Sequence, residues 1–153
     1  MLITMDEIGL MGSVFSARRR FTNERLRSFG ITLPQFYFIQ LARRRGAISP
    51  SAAAAELFCD RPTMTLVAQK CVAAGWLIRK RSEDDRRSNR LELSGEGEEL
   101  LDRIEKTKVF SLASLGDPLD VLGSDERAAL RAALGKVEAR ARKLYGHGRD
   151  GGM

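Results

Sequence analysis

Cys59 and Cys71 stand twelve residues apart, and His147 is the single histidine of the 153-residue chain. A zinc site takes four nitrogen or sulfur ligands at short, repeated spacings, so this pair offers none and no metal is expected. A cysteine nucleophile needs an imidazole held beside it. His147 lies in Gly146, His147, Gly148, Arg149, Asp150, Gly151, Gly152, where glycines supply no scaffold for a general base. No glycine loop of the phosphate-cradling kind is present, so no cofactor and no enzymatic activity are expected. The chemistry left to the chain is that of its charges. Twenty-six Lys and Arg against twenty Asp and Glu give +6. Residues 1–60 carry eight basic and five acidic groups, residues 61–90 eight and three, and residues 91–153 ten and twelve. Thirty residues therefore hold most of the excess, and they ask for a polyanionic partner.

The elements that position this stretch can be read from periodicity and punctuation. With 43% hydrophobic and 30% charged residues over 153 positions, the chain has the balance of one globular domain that folds without disulfides. No apolar run nears the roughly 18–20 residues of a membrane span, and no signal-peptide pattern opens the chain, so a cytoplasmic location with no membrane partner is expected. Apolar residues at Ile8, Met11 and Phe15, with Leu10, Val14 and Phe21 beside them, predict a first helix over 6–28. Gly30 ends it. Thr32, Pro34 and Gln35 restart the chain as a capping box, and a helix to about Arg45 buries Phe36, Phe38, Ile39 and Leu41.

After the apolar link Ala47–Ile48, Ser49 and Pro50 open a short alanine-rich helix, broken at Phe58–Cys59–Asp60. Asp60 caps the next, Arg61 to Ala74, which turns Met64, Val67, Ala68 and Cys71 to one side; Gly75 stops it. Two helices joined by a tight turn, the second with a polar outer face, have the composition of a helix-turn-helix. Residues 76–81 and 89–93 read as two strands around the charged loop 82–88, and a hairpin in that place is a wing. Ser94 caps a further helix with Leu100, Leu101 and Ile104 inward, extending toward Leu115. Ser124 opens the last helix, whose Leu130, Leu134, Val137, Ala141 and Leu144 form a seam of alternating fours and threes. That seam can cover an intrachain core or, with the Met11 and Phe15 face, a second copy; dimerisation is the expectation. The fold class is mainly α with a small β-wing. A winged helix-turn-helix lobe spans 33–97, dimerisation helices span 1–30 and 98–145, and 146–153 form a flexible tail.

With this element order, the chain resembles the MarR (multiple-antibiotic-resistance regulator) family of bacterial winged-helix transcription factors. The resemblance is carried by Leu33–Pro34–Gln35–Phe36, by the run Asp60 to Thr65, by Ala74–Gly75, by Asp84–Asp85–Arg86–Arg87 and by Leu93–Ser94–Gly95–Glu96–Gly97. It implies a homodimer on a near-palindromic double-stranded DNA operator, each subunit laying its second helix-turn-helix helix in the major groove and its wing arginine in the minor groove. Arg87 matches that arginine and Asp85 the aspartate two before it, which would orient an arginine across the wing turn; Arg86 stands beside them. A guanidinium fits there because a narrow A·T minor groove concentrates negative potential.

On the second helix the spacing leaves Pro62, Thr63, Leu66, Gln69, Lys70 and Ala73 outward, with Thr65 on the flank. Gln69 can pair bidentately with adenine, Thr63 and Thr65 can serve bases or phosphates, and Leu66 offers only apolar contact, as to a thymine methyl. The family commonly has arginine where Leu66 stands, so a guanine contact is lost. Arg61 and Lys70 read as phosphate contacts, with Ser51 as a further donor. The resemblance also implies a repressor released by a small aromatic acid or phenol, for which Phe15, Arg18 and Tyr37 are candidates, with Phe36 and Phe38 beside them; the reading of these phenylalanines as core is the favoured one. Other members sense oxidants through a cysteine, a role Cys59 could take and an inward Cys71 could not. An intrahelical bridge is excluded, since twelve residues of helix span about 18 Å. The rival class is a winged-helix module that binds protein and keeps its basic face for solubility.

Overall fold

The computed structural model describes residues 6–57, 59–80, 89–108 and 117–145. Among these, six α-helices and two short strands follow one another: α1 (Glu7–Leu26), α2 (Leu33–Arg45), α3 (Pro50–Glu56), α4 (Arg61–Ala73), β1 (Leu77–Arg79), β2 (Leu91–Leu93), α5 (Gly95–Lys106) and α6 (Ser124–Tyr145). Each helix of the middle region begins where a side chain answers the unpaired N–H groups of a first turn. Gln35 Oε1 accepts from the Thr32 N–H at 2.9 Å, and Asn23 of α1 reaches across to accept from Leu33 N–H at 3.0 Å. Ser49 accepts from Ala52 N–H, Asp60 from Thr63 N–H and Ser94 from Gly97 N–H.

The core joins α2, α3, α4, β1, β2 and α5, with Leu26 of α1 at its edge. Phe38, Ile39, Leu41, Leu101 and Ile104 are fully buried in it. Ala53 and Ala54, both buried, let α3 lie close against α4. The core runs without a break past residue 97, because Leu100, Leu101 and Ile104 of α5 belong to it. Arg43 of α2 pairs with Asp102 at 3.4 Å and with Glu105, tying α2 to the outer side of α5.

Three expectations are corrected. Strand pairing is shorter than 76–81 and 89–93: Leu77, Ile78 and Arg79 face Leu93, Glu92 and Leu91 in antiparallel register. The link at Ile48 is not merely a link, since its N–H and carbonyl both pair with Leu91, adding a one-residue third strand. Helix α5 ends at Lys106 instead of running toward Leu115; Lys108 takes a left-handed φ of 52° just beyond, and residues 109–116 lie outside the described residues. The tail 146–153 lies outside them as well.

Gly75 and Gly97 are fixed by geometry. Gly75 has φ 79°, which lets α4 turn so that Trp76 N–H reaches the Cys71 carbonyl. At Gly97 a Cβ would sit 2.3 Å from the Trp76 carbonyl oxygen and 2.6 Å from Leu93 Cδ1. Gly97→Ala, ordinarily favourable inside a helix, is therefore expected to destabilise by about 1–3 kcal/mol. Gly95→Ala, with open space around it, should be neutral or better. Denaturant midpoints of the two variants check this, and equal midpoints would contradict the close approach.

Candidate nucleic-acid interface

Helix α4 has two chemically distinct sides. Met64, Val67, Ala68 and Cys71 are buried, while Arg61, Pro62, Thr63, Thr65, Leu66, Gln69, Lys70 and Ala73 are exposed, as the spacing predicts. Leu66 is 51% exposed on this mostly polar face, a large apolar group standing half in water. The Thr65 hydroxyl donates to the Arg61 carbonyl at 2.8 Å, so its proton is committed and its oxygen is left to accept. Lys70 makes no ion pair among the described residues. Ser51 is exposed in the first turn of α3.

Asp60 fixes where α4 begins. The Thr63 backbone N–H and hydroxyl bonded to its carboxyl hold it below the ordinary 3.8. Asp117 is lowered in the same way, first by Arg127 and then by the Leu119 N–H. A lowered folded value means that each carboxylate stabilises the fold above its unfolded pKa and that this contribution is lost as pH falls through the folded one. Asp60→Asn still caps but does not titrate, so its stability should fall less steeply than the wild type's as pH drops below the ordinary carboxylate value of 3.8. Helical circular dichroism against pH reads the difference, and parallel curves would contradict it.

The wing stem leaves the core beside α4. Lys80 pairs with Glu92 at 3.5 Å, and Arg79 donates to Asn89 Oδ1 at 3.0 Å. The loop bearing Asp85, Arg86 and Arg87 lies outside the described residues. Between the stem and the helix-turn-helix opens a cleft of about 750 Å³, lined by Arg45, Ser49, Ser51, Thr65, Asn89 and Arg90 among others. Sequence reasoning missed Arg45, Asn89 and Arg90 as neighbours of Ser51 and Thr65. Arg90 closes the most basic thirty residues, but charge counting does not reveal what it faces.

The candidate ligand residues divide. Phe36 and Phe38 are core, at 3% and 0% exposure, whereas Phe15, Arg18 and Tyr37 lie at the surface. They line neither the cleft above nor a second one of about 540 Å³ along α1, formed by Ser16, Arg19, Arg20, Asn23, Glu24 and Arg27. Burial pushes the Cys71 thiol up to about 12, leaving almost no thiolate at neutral pH. Cys59, half-buried, donates its backbone N–H to the Ala54 carbonyl. No metal-binding cluster occurs among the described residues, and no helix there is long and apolar enough to cross a membrane.

Residues 29–88 match the sequence pattern of the MarR family. The HTH-type transcriptional regulator PecS of Dickeya dadantii (strain 3937) is 32% identical over 134 residues, covering 86% of this chain and 79% of PecS. Among solved structures, a cysteine-to-serine mutant of MarR from E. coli complexed with operator DNA is 25% identical, with a TM-score of 0.73 over 84% of this chain and 90% of that one. CouR from Rhodococcus jostii RHA1, solved bound to p-coumaroyl-CoA, shares the fold at TM-score 0.71 and 19% identity, over 90% of this chain and 94% of CouR. In sequence pattern, in its likeness to PecS and in the two-sided α4 beside a short hairpin, the chain belongs to the MarR family of winged-helix transcriptional regulators.

Proposed function

We propose that the protein is a dimeric, sequence-specific repressor that reads a near-palindromic operator with α4 in the major groove and is released by a small aromatic or phenolic ligand. The observation that carries the DNA reading is the outer face of α4. Thr63, Gln69 and Lys70 stand exposed there on a helix whose other side is locked into the core. Gln69 has the donor and acceptor needed for adenine, and Arg61 and Lys70 flank it with charge for phosphates. Arg87, with Asp85 orienting the wing and Arg86 beside it, takes the minor groove in this reading, supported by the family match through residue 88. The operator complex of E. coli MarR supports the duplex as partner.

Dimerisation is supported by α6, a 22-residue helix with no buried residue, and by the exposed apolar side chains of α1. Two-fold symmetry then sets half-site centres about 10–10.5 base pairs apart, or a multiple of that. Ligand release is supported by the p-coumaroyl-CoA complex of CouR, since a coumaroyl group is a phenol; Phe15, Arg18 and Tyr37 are the residues proposed to meet it, from the exposed faces of α1 and α2. The test is a mobility shift of the full chain on its own upstream region, with specific and scrambled competitors and with p-coumarate added. Binding that scrambled DNA competes for as well as specific DNA would remove the sequence-specific reading.

A further inference from the structure

We propose that the cleft between the wing stem and the helix-turn-helix seats a backbone phosphate of the bound duplex, and that Arg90 is the residue that holds it. This rests on the DNA-binding reading above and adds a contact outside α4 and the wing loop.

The cleft is built by distant parts of the chain: Arg45 at the end of α2, Ser51 in α3, Thr65 on the flank of α4, and Asn89 and Arg90 in the wing stem. Because Thr65 belongs both to this lining and to the exposed face of α4, a duplex lying along α4 passes the mouth of the cleft. Arg90 is held in place there. Its Nε and one Nη donate to the Ala47 carbonyl at 3.2 and 2.5 Å, which leaves three of its five N–H donors uncommitted. No carboxylate pairs with it among the described residues. Arg45 differs. It donates to both carboxylate oxygens of Glu56 at 3.2 Å, so its charge is already answered. Among the described residues Arg90 thus carries the charge that no carboxylate answers, in a cleft lined also by serine hydroxyls, the Asn89 amide and Glu56, whose carboxylate is taken up by Arg45. A guanidinium immobilised in advance, with neutral donors around it, suits an oxyanion whose position is fixed by a polymer backbone.

The experiment is fluorescence anisotropy of the full chain on specific and scrambled duplexes across a salt series, for wild type, Arg90→Gln and Glu56→Gln. A salt slope of about 0.9 per phosphate makes one contact worth about five-fold at 0.15 M salt, or about thirty-fold for the two in a dimer. Arg90→Gln should therefore weaken both duplexes alike by that factor and flatten the slope by about 1.8. Glu56→Gln frees Arg45 and should act with the opposite sign, tightening both duplexes and steepening the slope. If Arg90→Gln lowers the thermal midpoint, that second variant still tests whether a phosphate occupies the cleft, since it leaves Arg90 and the Ala47 carbonyl untouched, and Arg90→Lys, which keeps the charge, should then hold the wild-type slope where Arg90→Gln does not. Unchanged slopes in Arg90→Gln and Glu56→Gln, or a loss confined to the specific duplex, would overturn the proposal. A wild-type chain that binds no duplex would instead overturn the DNA reading on which it rests.

Discussion

Val137→Asp is expected to abolish the two-fold dimer and, with it, tight binding to a two-half-site operator. Helix α6 runs for 22 residues without burying one of them, and an isolated helix of that length gains little from propensity alone. Leu134 and Val137 remain 39% and 40% exposed, and Leu144 53%; Leu130 and Ala141 of the same seam are half-buried. Ile8, Met11, Val14 and Phe15 of α1 are also uncovered, Phe15 at 61%. So much apolar surface on two terminal helices needs a cover, and a second copy of the same seam provides one. A charge stranded in such an interface costs about 3–5 kcal/mol, which raises the dimer dissociation constant at least about 100-fold. Because α6 buries no residue among the described part of the chain, the variant should lose helical signal or aggregate instead of giving a clean monomer. Sedimentation equilibrium checks both chains, and a folded wild-type monomer at micromolar concentration would contradict the dimer.

What is legible in the chain follows from the range of each interaction. Caps act within three residues, so Gln35, Ser49, Asp60 and Ser94 announce their helices in the sequence itself. The inward face of α4 is equally local, since Met64, Val67, Ala68 and Cys71 recur at helical spacing. The bridge from Ile48 to Leu91 spans 43 residues and involves a single residue on one side, which leaves no alternation to detect. The stop at Lys106 is hidden for a similar reason. Burial on α5 ends with Ile104, and that limit is set by where α2 lies. The cleft at Arg90 depends on the same pairing, which brings the wing stem against the Ala47 carbonyl. The roles of Asp85, Arg86 and Arg87 rest on the resemblance, as the described residues do not include them.

Gln69→Ala is the second large effect, and it bears on base reading directly. Gln69 stands exposed near the middle of α4's outer face, with Leu66 one turn before it able to meet a thymine methyl but not a guanine. A bidentate glutamine–adenine pair discriminates by about 1–3 kcal/mol, or about 5- to 150-fold for each half-site. Its removal leaves the charged contacts intact, so non-specific binding and its salt slope should persist. The decisive measurement is the affinity of wild type and Gln69→Ala, side by side, for the specific operator and a scrambled duplex of equal length and salt. Insertion of α4 into the major groove predicts that the mutation collapses the ratio of the two affinities while the scrambled-duplex affinity stays nearly unchanged. An unchanged ratio, or an equal loss on both duplexes, would contradict α4 as the reading element.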